Sequence, residues 1–530
     1  MQLLDGLLFS AGIIVFMIWI TQQKATSRQR DPSLVQTDAG WVRGTVTTTL
    51  RRFQGIPYAA PPTDSLRWQA PQPAPGWRGV RDATRPCSAC PQQPTAYANI
   101  RSTNEDCLFL NVTTPRSATD KDRKPVMAWI HGDGSVGAGH LFDPARLVAL
   151  GDIIVVTINY RLGIFGGFGY PGLAGSGTFG LQDQQAALRW VQRNIAHFGG
   201  DPANVTLFGV SYGALAASAH LISPAAKGLF HKVILQSGFA LMDMPAGSMI
   251  PDMQAIPWFG WRSRQEVEEL GVYAAQQLKR PNLAALRRAS VKELLPLLPL
   301  FQPYGYQTSV LPLLPDQALS TGRFNRVPVL AGNTLDEHRT FVGLFRILAG
   351  YPVTKANYDS LLTGAFGKQA KAVKSRYPLT AYASPAVAWA TVLTDRMWAR
   401  ATFRQHQVLS NYVPVYAYEF ADRQAPSSLP FPRELPPGAF HSAEVDYLFA
   451  DRALDAKLTP TQRQLSNRMI CYWTNFAHTG NPNGQGLPVW KPFVNGHVEP
   501  YVQGLAPGAN SIRAIDYATE HQLDFWRTMP

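Results

Sequence analysis

The chain has 530 residues, 45% of them hydrophobic and 16% charged, which suits a large buried core and excludes intrinsic disorder. Its 49 Lys and Arg against 36 Asp and Glu give a formal charge of +13, but the basic residues are scattered as singles and pairs such as Arg51-Arg52 and Arg287-Arg288. That scatter contains no basic run or aromatic-basic module, so no nucleic-acid partner is expected and the charge reads as a cationic, soluble surface.

The chain opens with an apolar run from Leu3 to Ile20, broken only by Asp5. No Lys or Arg precedes the run and Thr21-Gln22-Gln23 follows it where a cleaved signal would carry small residues, so residues 1–30 read as an uncleaved membrane anchor with its linker. Lys24, Arg28 and Arg30 behind it would hold the following domain in the cytoplasm, whereas a disulfide would need an oxidising compartment; export is the expectation taken here. Residues 31–530 are assigned to one large domain.

Short strand-like pieces around Gly40 to Val46 lead into Pro- and Gly-rich loops from Pro57 to Pro94. Cys87, Cys90 and Cys107 lie close together while Cys471 stands alone, which allows one bridge in this region if the protein is exported. No Cys/His spacing resembles a zinc site, and neither metal nor cofactor is expected. From Pro125 the pattern changes. Val126 to Ile130, Ile153 to Ile158, Thr206 to Val210 and Val233 to Leu235 are short apolar runs of the kind found in buried parallel strands. Leu188, Val191, Ile195 and Phe198 recur at helical spacing in Gln182 to His197, and Gly199-Gly200 closes that helix. Further strands are expected at Val327 to Ala331 and Val413 to Phe420, giving an α/β fold with a large, mostly parallel sheet. The segments Met242 to Leu319 and Leu344 to His406 break the rhythm and read as mostly helical insertions that cap a site.

Gly209-Val210-Ser211-Tyr212-Gly213 stands directly between a strand and a helix-compatible stretch, Ala214 to Ile222. A sharp strand-to-helix turn needs small residues around a serine whose hydroxyl projects beyond the sheet edge, and this is the setting of a nucleophile elbow. A serine hydroxyl is a poor nucleophile at neutral pH, so an imidazole must take its proton and a carboxylate must hold that imidazole. Among eleven histidines, His441 stands out in a late loop after a predicted strand, with His478 and His497 as weaker rivals. The Gly-rich turn His131-Gly132-Asp133-Gly134 follows a strand and is suited to supply backbone N–H donors to an oxyanion. The Gly-rich stretch Gly166 to Gly177 lacks a dinucleotide fingerprint and reads as a loop.

These features, with Phe53-Gln54-Gly55-Ile56-Pro57-Tyr58-Ala59, Glu105-Asp106-Cys107-Leu108-Phe109-Leu110-Asn111-Val112, Asn159-Tyr160-Arg161-Leu162-Gly163, Phe198-Gly199-Gly200-Asp201-Pro202, Gln236-Ser237-Gly238 and Thr479-Gly480-Asn481-Pro482, resemble the type-B carboxylesterase family. That family includes cholinesterases, liver-type carboxylesterases and bacterial p-nitrobenzyl esterases, and the likeness runs from about Gly40 to Pro492. The resemblance implies the α/β-hydrolase fold and a triad of Ser211, His441 and Glu337, where the residues alone do not separate Glu337 from Asp336. It also implies an oxyanion hole from Asp133, Gly134 and Tyr212, support of the triad from behind by Ser237, and a disulfide from Cys87 to Cys107, with Cys90 as a competitor for the partner.

Four positions depart from the family pattern. Val210 and Tyr212 replace the usual Glu and Ala beside the nucleophile, and His338 replaces the usual Gly beside the acid. Asp133 replaces the middle glycine of the oxyanion turn. An ionised carboxylate ~4 Å from the oxyanion would cost about 4 kcal/mol at an effective dielectric near 20, roughly three decades in rate. Either the side chain points away, or it is neutralised, or it serves as an extra base for water. The expected function is hydrolysis of a neutral, apolar or aromatic small-molecule ester through an acyl-serine. The alternatives are an inactive adhesion protein of the same fold, or a lipase, amidase or carbamate hydrolase. The residue pattern assigns no oligomeric state.

Overall fold

The computed structural model describes residues 31–96, 98–450, 456–496 and 500–529. The expected anchor, residues 1–30, lies outside them, as does His497. Among the described residues no helix is long and apolar enough to cross a membrane.

Eleven strands form the central sheet: β1 (Thr45–Val46), β2 (Leu50–Pro57), β3 (Phe109–Pro115), β4 (Lys124–Ile130), β5 (Ile154–Ile158), β6 (Gly200–Val210), β7 (Lys232–Gln236), β8 (Val329–Thr334), β9 (Val415–Phe420), β10 (Val502–Leu505) and β11 (Arg513–Ile515). Their spatial order is β1-β2-β3-β5-β4-β6-β7-β8-β9-β10-β11. The pairs from β5 through β10 are parallel, and antiparallel pairs flank them. The expected large, mostly parallel sheet is therefore present, with each predicted central strand in it.

The apolar runs are continuous because both faces are covered. Along β4, Val126, Ala128 and Ile130 enter the core on one face, while Met127 and Trp129 enter the core on the other. Each fully buried aliphatic side chain of this kind is worth roughly 1.5–3 kcal/mol. Helices α1 (Phe179–Asn194) and α2 (Tyr212–Ile222) belong to the first core, and α3 (Pro460–Thr479) to the second. The ends of α3 follow from its sequence. Thr459 and Gln462 make a capping box, Pro460 takes the first helical position, and Gly480 ends the helix at φ 79°.

The disulfide joins Cys90, not Cys87, to Cys107, with a Cα–Cα separation of 4.9 Å. Cys90 is brought there because Gln92 donates from Nε2 to the carbonyls of Cys90 and Gly137 and accepts from the Gly137 N–H, tying its loop to the turn after β4. Cys87 is a free thiol facing the carbonyl of Gly55 at 3.6 Å.

Candidate active site

Ser211 lies between β6 and α2 at φ 56°, ψ −123°, a backbone state that L residues rarely adopt. Neighbouring glycines make this turn possible. A Cβ on Gly209 would lie 2.6 Å from the Gly213 carbonyl carbon, one on Gly213 would lie 2.1 Å from the Ile130 oxygen, and one on Gly132 would lie 2.8 Å from the Val210 oxygen. The Ser211 N–H is bound to the Gln236 carbonyl at 2.9 Å, which fixes the turn to β7.

Glu337 follows β8 and is fully buried. Its Oε1 accepts from the Thr334 N–H at 2.8 Å and its Oε2 meets His441 Nδ1 at 2.5 Å. The other ring nitrogen, His441 Nε2, is buried without a hydrogen-bond partner, and both Ser211 and His441 line one cavity of about 540 Å³. Asp336 is committed elsewhere. It accepts from Arg423 and the Ala439 N–H, pairs with Arg339, and donates its own N–H to the Ala439 carbonyl, so it clamps the acid loop to the histidine loop. His478 is also committed, with Nε2 at 2.9 Å from the Gly151 carbonyl.

Gly134 and Asp133 both have positive φ, 80° and 72°. Asp tolerates this state better than most residues because its short side chain bonds its own backbone. Here Asp133 Oδ1 accepts from Ser135 N–H at 3.1 Å, Ser135 Oγ at 2.6 Å and Val136 N–H at 3.2 Å. The carboxylate thus folds back into its own turn, and the first of the three expected dispositions is the one observed. Burial pushes this carboxyl up, and the bonds from Ser135 and Val136 oppose the shift. The turn is braced from behind, because Tyr160 donates to the His131 carbonyl and the Gly139 N–H binds Asn159. Two residues of the Asn159-Tyr160-Arg161 motif are thereby explained, and Arg161 is a buried partner of Asp183 at 2.7 Å. At the head of α2 the Tyr212 N–H is one of the donors that a helix start leaves free.

The Tyr212 ring packs edge-on to Phe239 and Phe259, with centroids 5.3 and 6.1 Å away. With Trp398, Phe341, Phe345, Met244 and Met249 these rings make most of the cavity wall apolar. Ser237 is buried beside β7 with its N–H on the Gly332 carbonyl, while its Oγ makes no hydrogen bond.

Glu444, which sequence reasoning did not single out, is fully buried three residues after His441. Its Oε1 accepts from Gln236 and Tyr418 at 3.4 Å each, and its Oε2 has no partner. Burial, helped by the nearby Glu337, pushes its carboxyl up to about 7. Its spacing from His441 was legible, but its burial was not.

Residues 31–526 match the Carboxylesterase family. The chain is 34% identical over 469 residues to the para-nitrobenzyl esterase of Bacillus subtilis (strain 168), covering 86% of this chain and 91% of that one. It is 32% identical over 514 residues to the cocaine esterase of Homo sapiens, covering 90% and 87%. Among solved structures, a PNB esterase superposes with a TM-score of 0.75 at 30% identity, over 93% of this chain and 99% of the other. With sheet order, elbow and match over nearly the whole chain in agreement, this chain belongs to the carboxylesterase family.

Proposed function

We propose that Ser211, His441 and Glu337 act as the catalytic triad of a carboxylic-ester hydrolase. The observation that carries this reading is the 2.5 Å contact of Glu337 Oε2 with His441 Nδ1, which leaves Nε2 unpartnered beside the cavity that Ser211 lines. Ser211 attacks the ester carbonyl while His441 Nε2 takes its proton, and Glu337 holds the tautomer and stabilises the imidazolium. The N–H groups of Asp133, Gly134 and Tyr212 receive the oxyanion. His441 then protonates the departing alcohol, and a water activated by the same nitrogen hydrolyses the acyl-serine.

The apolar, aromatic wall favours neutral esters with apolar or aromatic groups. The Cys90–Cys107 bridge supports an exported domain spanning residues 31–530, held at a membrane by the apolar run at its start. The test is hydrolysis of p-nitrophenyl esters from acetyl to long acyl chains by wild type and Ser211→Ala side by side. Activity abolished in the variant is the expected result, and equal activity in both would overturn the assignment of Ser211.

A further inference from the structure

Trp398 and Phe341 flank the catalytic imidazole. Their ring centroids lie 4.8 and 5.0 Å from that of His441, and the two rings stack on each other at 5.5 Å with an interplanar angle of 20°. Phe239 meets Trp398 edge-on at 5.7 Å. All three line the cavity. Trp398 sits in a π-helical turn, Thr394–Ala399, and a second such turn, Val342–Ile347, carries Phe345 into the same wall. Turns of this kind are rare and concentrate at functional sites.

His338 holds the Trp398 indole from behind. It is fully buried behind the wall, next in sequence to Glu337. The Trp398 indole N–H donates to His338 Nδ1 at 3.1 Å, and His338 Nε2 lies 3.2 Å from the Ser248 carbonyl. An indole nitrogen can only donate, so Nδ1 must be the acceptor and Nε2 must carry the proton it gives to Ser248. The tautomer is thereby determined by its neighbours. The His338 N–H also binds Thr394 Oγ1 at 3.0 Å, a second link to the turn that carries Trp398. Through Ser248 the same ring holds the capping segment from which Met244 and Met249 enter the cavity.

We propose that His338 is a positioning residue that pins the Trp398 indole as a fixed wall of the cavity, and thereby sets which ester chain lengths the site accepts. The proposal rests on the ester-hydrolase reading above. Without the imidazole the indole N–H is left buried and unpaired, and the ring settles into the vacated space. The cavity then lengthens on that side, so selectivity moves toward longer chains.

The experiment measures kcat and KM over two homologous series, p-nitrophenyl acyl esters and n-alkyl butyrates. In parallel it measures dissociation constants of the matching n-alkyl aryl ketones, which require no turnover. His338→Ala is expected to raise the long-to-short kcat/KM ratio of at least one series by about tenfold, and the ketone affinities to follow. Two amide variants separate the links. The Asn oxygen overlays Nδ1 and keeps the indole bond, whereas the Gln amide overlays Nε2 and keeps only the Ser248 bond.

His338→Asn should therefore retain the wild-type profile, and His338→Gln should behave like His338→Ala. In a Trp398→Phe background His338→Ala should add no further shift. An unchanged profile in His338→Ala, rescue by Gln rather than Asn, or an undiminished shift without the indole would each overturn the proposal. If His338→Ala fails to fold, the Asn and Gln contrast decides. A wild type inactive on every ester would count against the hydrolase reading, and the ketone affinities would still decide the role of His338.

Discussion

Replacing Asp133 tests the chemistry of the oxyanion turn. Were its carboxylate ~4 Å from the oxyanion, removing it would lower the barrier by about 4 kcal/mol and speed turnover roughly a thousandfold. Were it the base for deacylation, removal would slow turnover by a comparable factor and leave acyl-enzyme to accumulate. The bonds to Ser135 and Val136 occupy Oδ1 and turn the carboxylate back into its own loop, which speaks against both cases. Asp133→Asn keeps an acceptor for the turn and deletes the charge, so kcat for p-nitrophenyl acetate should stay within about threefold of wild type. Asp133→Gly removes all three bonds, each worth about 1 kcal/mol, while relieving a positive φ that costs of order 1 kcal/mol. The net effect is a looser turn and a loss of about tenfold or less in kcat. Steady-state and burst kinetics on the three proteins are the assay. A thousandfold gain in either variant, or a thousandfold loss with a full burst, would refute this account of the turn.

Glu444→Gln should alter stability in a pH-dependent way. A folded carboxyl raised from 4.5 to about 7 contributes stability that is present below pH 4.5 and lost as pH rises through 7, so the variant should gain up to about 3 kcal/mol over wild type at pH 8 and nothing near pH 4. Denaturant midpoints across that range check it, and a gap independent of pH would count against it. His521 is buried between Asp395 Oδ1 at 2.7 Å and Glu419 Oε1 at 2.5 Å; burial lowers its pKa, but the two carboxylates outweigh this and hold it well above 6.5. His521→Leu should cost about 3–5 kcal/mol at pH 7 by stranding two carboxylates. In the wild type the contribution of this cluster should be full below pH 6.5, decline above it and be lost as pH rises through the folded pKa, ending in an alkaline transition in tryptophan fluorescence that the variant lacks.

What the sequence made legible follows from the range of the forces involved. The elbow was readable because its glycines answer to backbone crowding within five residues, and β4, β6 and β7 because burial on both faces leaves a continuous apolar run. The loop that carries His441 was readable by its place after a strand, and the structure sets the His441 ring against Glu337. Glu337 and Asp336 were not separable by residue type, since both are buried carboxylates. What divides them is that Asp336 faces Arg339 and Arg423, the latter contributed by a distant loop. The cysteine pairing was misassigned for a similar reason. Cys87 and Cys90 close loops of similar length to Cys107, and the bonds that hold the Cys90 segment, from Ser102 to Ala89 and Gln92 and from Gln92 to Gly137, are not visible in the spacing. The anchoring of Trp398 by His338 crosses sixty residues and reaches into the second insertion, and no local pattern announces it.

The departures from the family pattern share a position in the architecture. The proposed catalytic groups hang from strand ends whose loops are bonded to one another: Ser211 to Gln236, Ser237 to Gly332, Asp336 to Ala439, and Gly137 to Gln92. Such cross-linking preorganises donors and base before substrate arrives, and any residue that disturbed it would be felt in every substrate's rate. Val210, Tyr212 and His338 instead lie where side chains meet the cavity wall or stand behind it, and Asp133 turns its carboxylate into its own loop. Change at these places alters the volume and shape offered to the ester while leaving the proposed proton transfer from Ser211 to His441, and the hold of Glu337 on that ring, in place. A chain can in this way keep one reaction and move its substrate range, which is why the decisive measurements on Val210, Tyr212 and His338 are ratios between substrates and not rates on any single one.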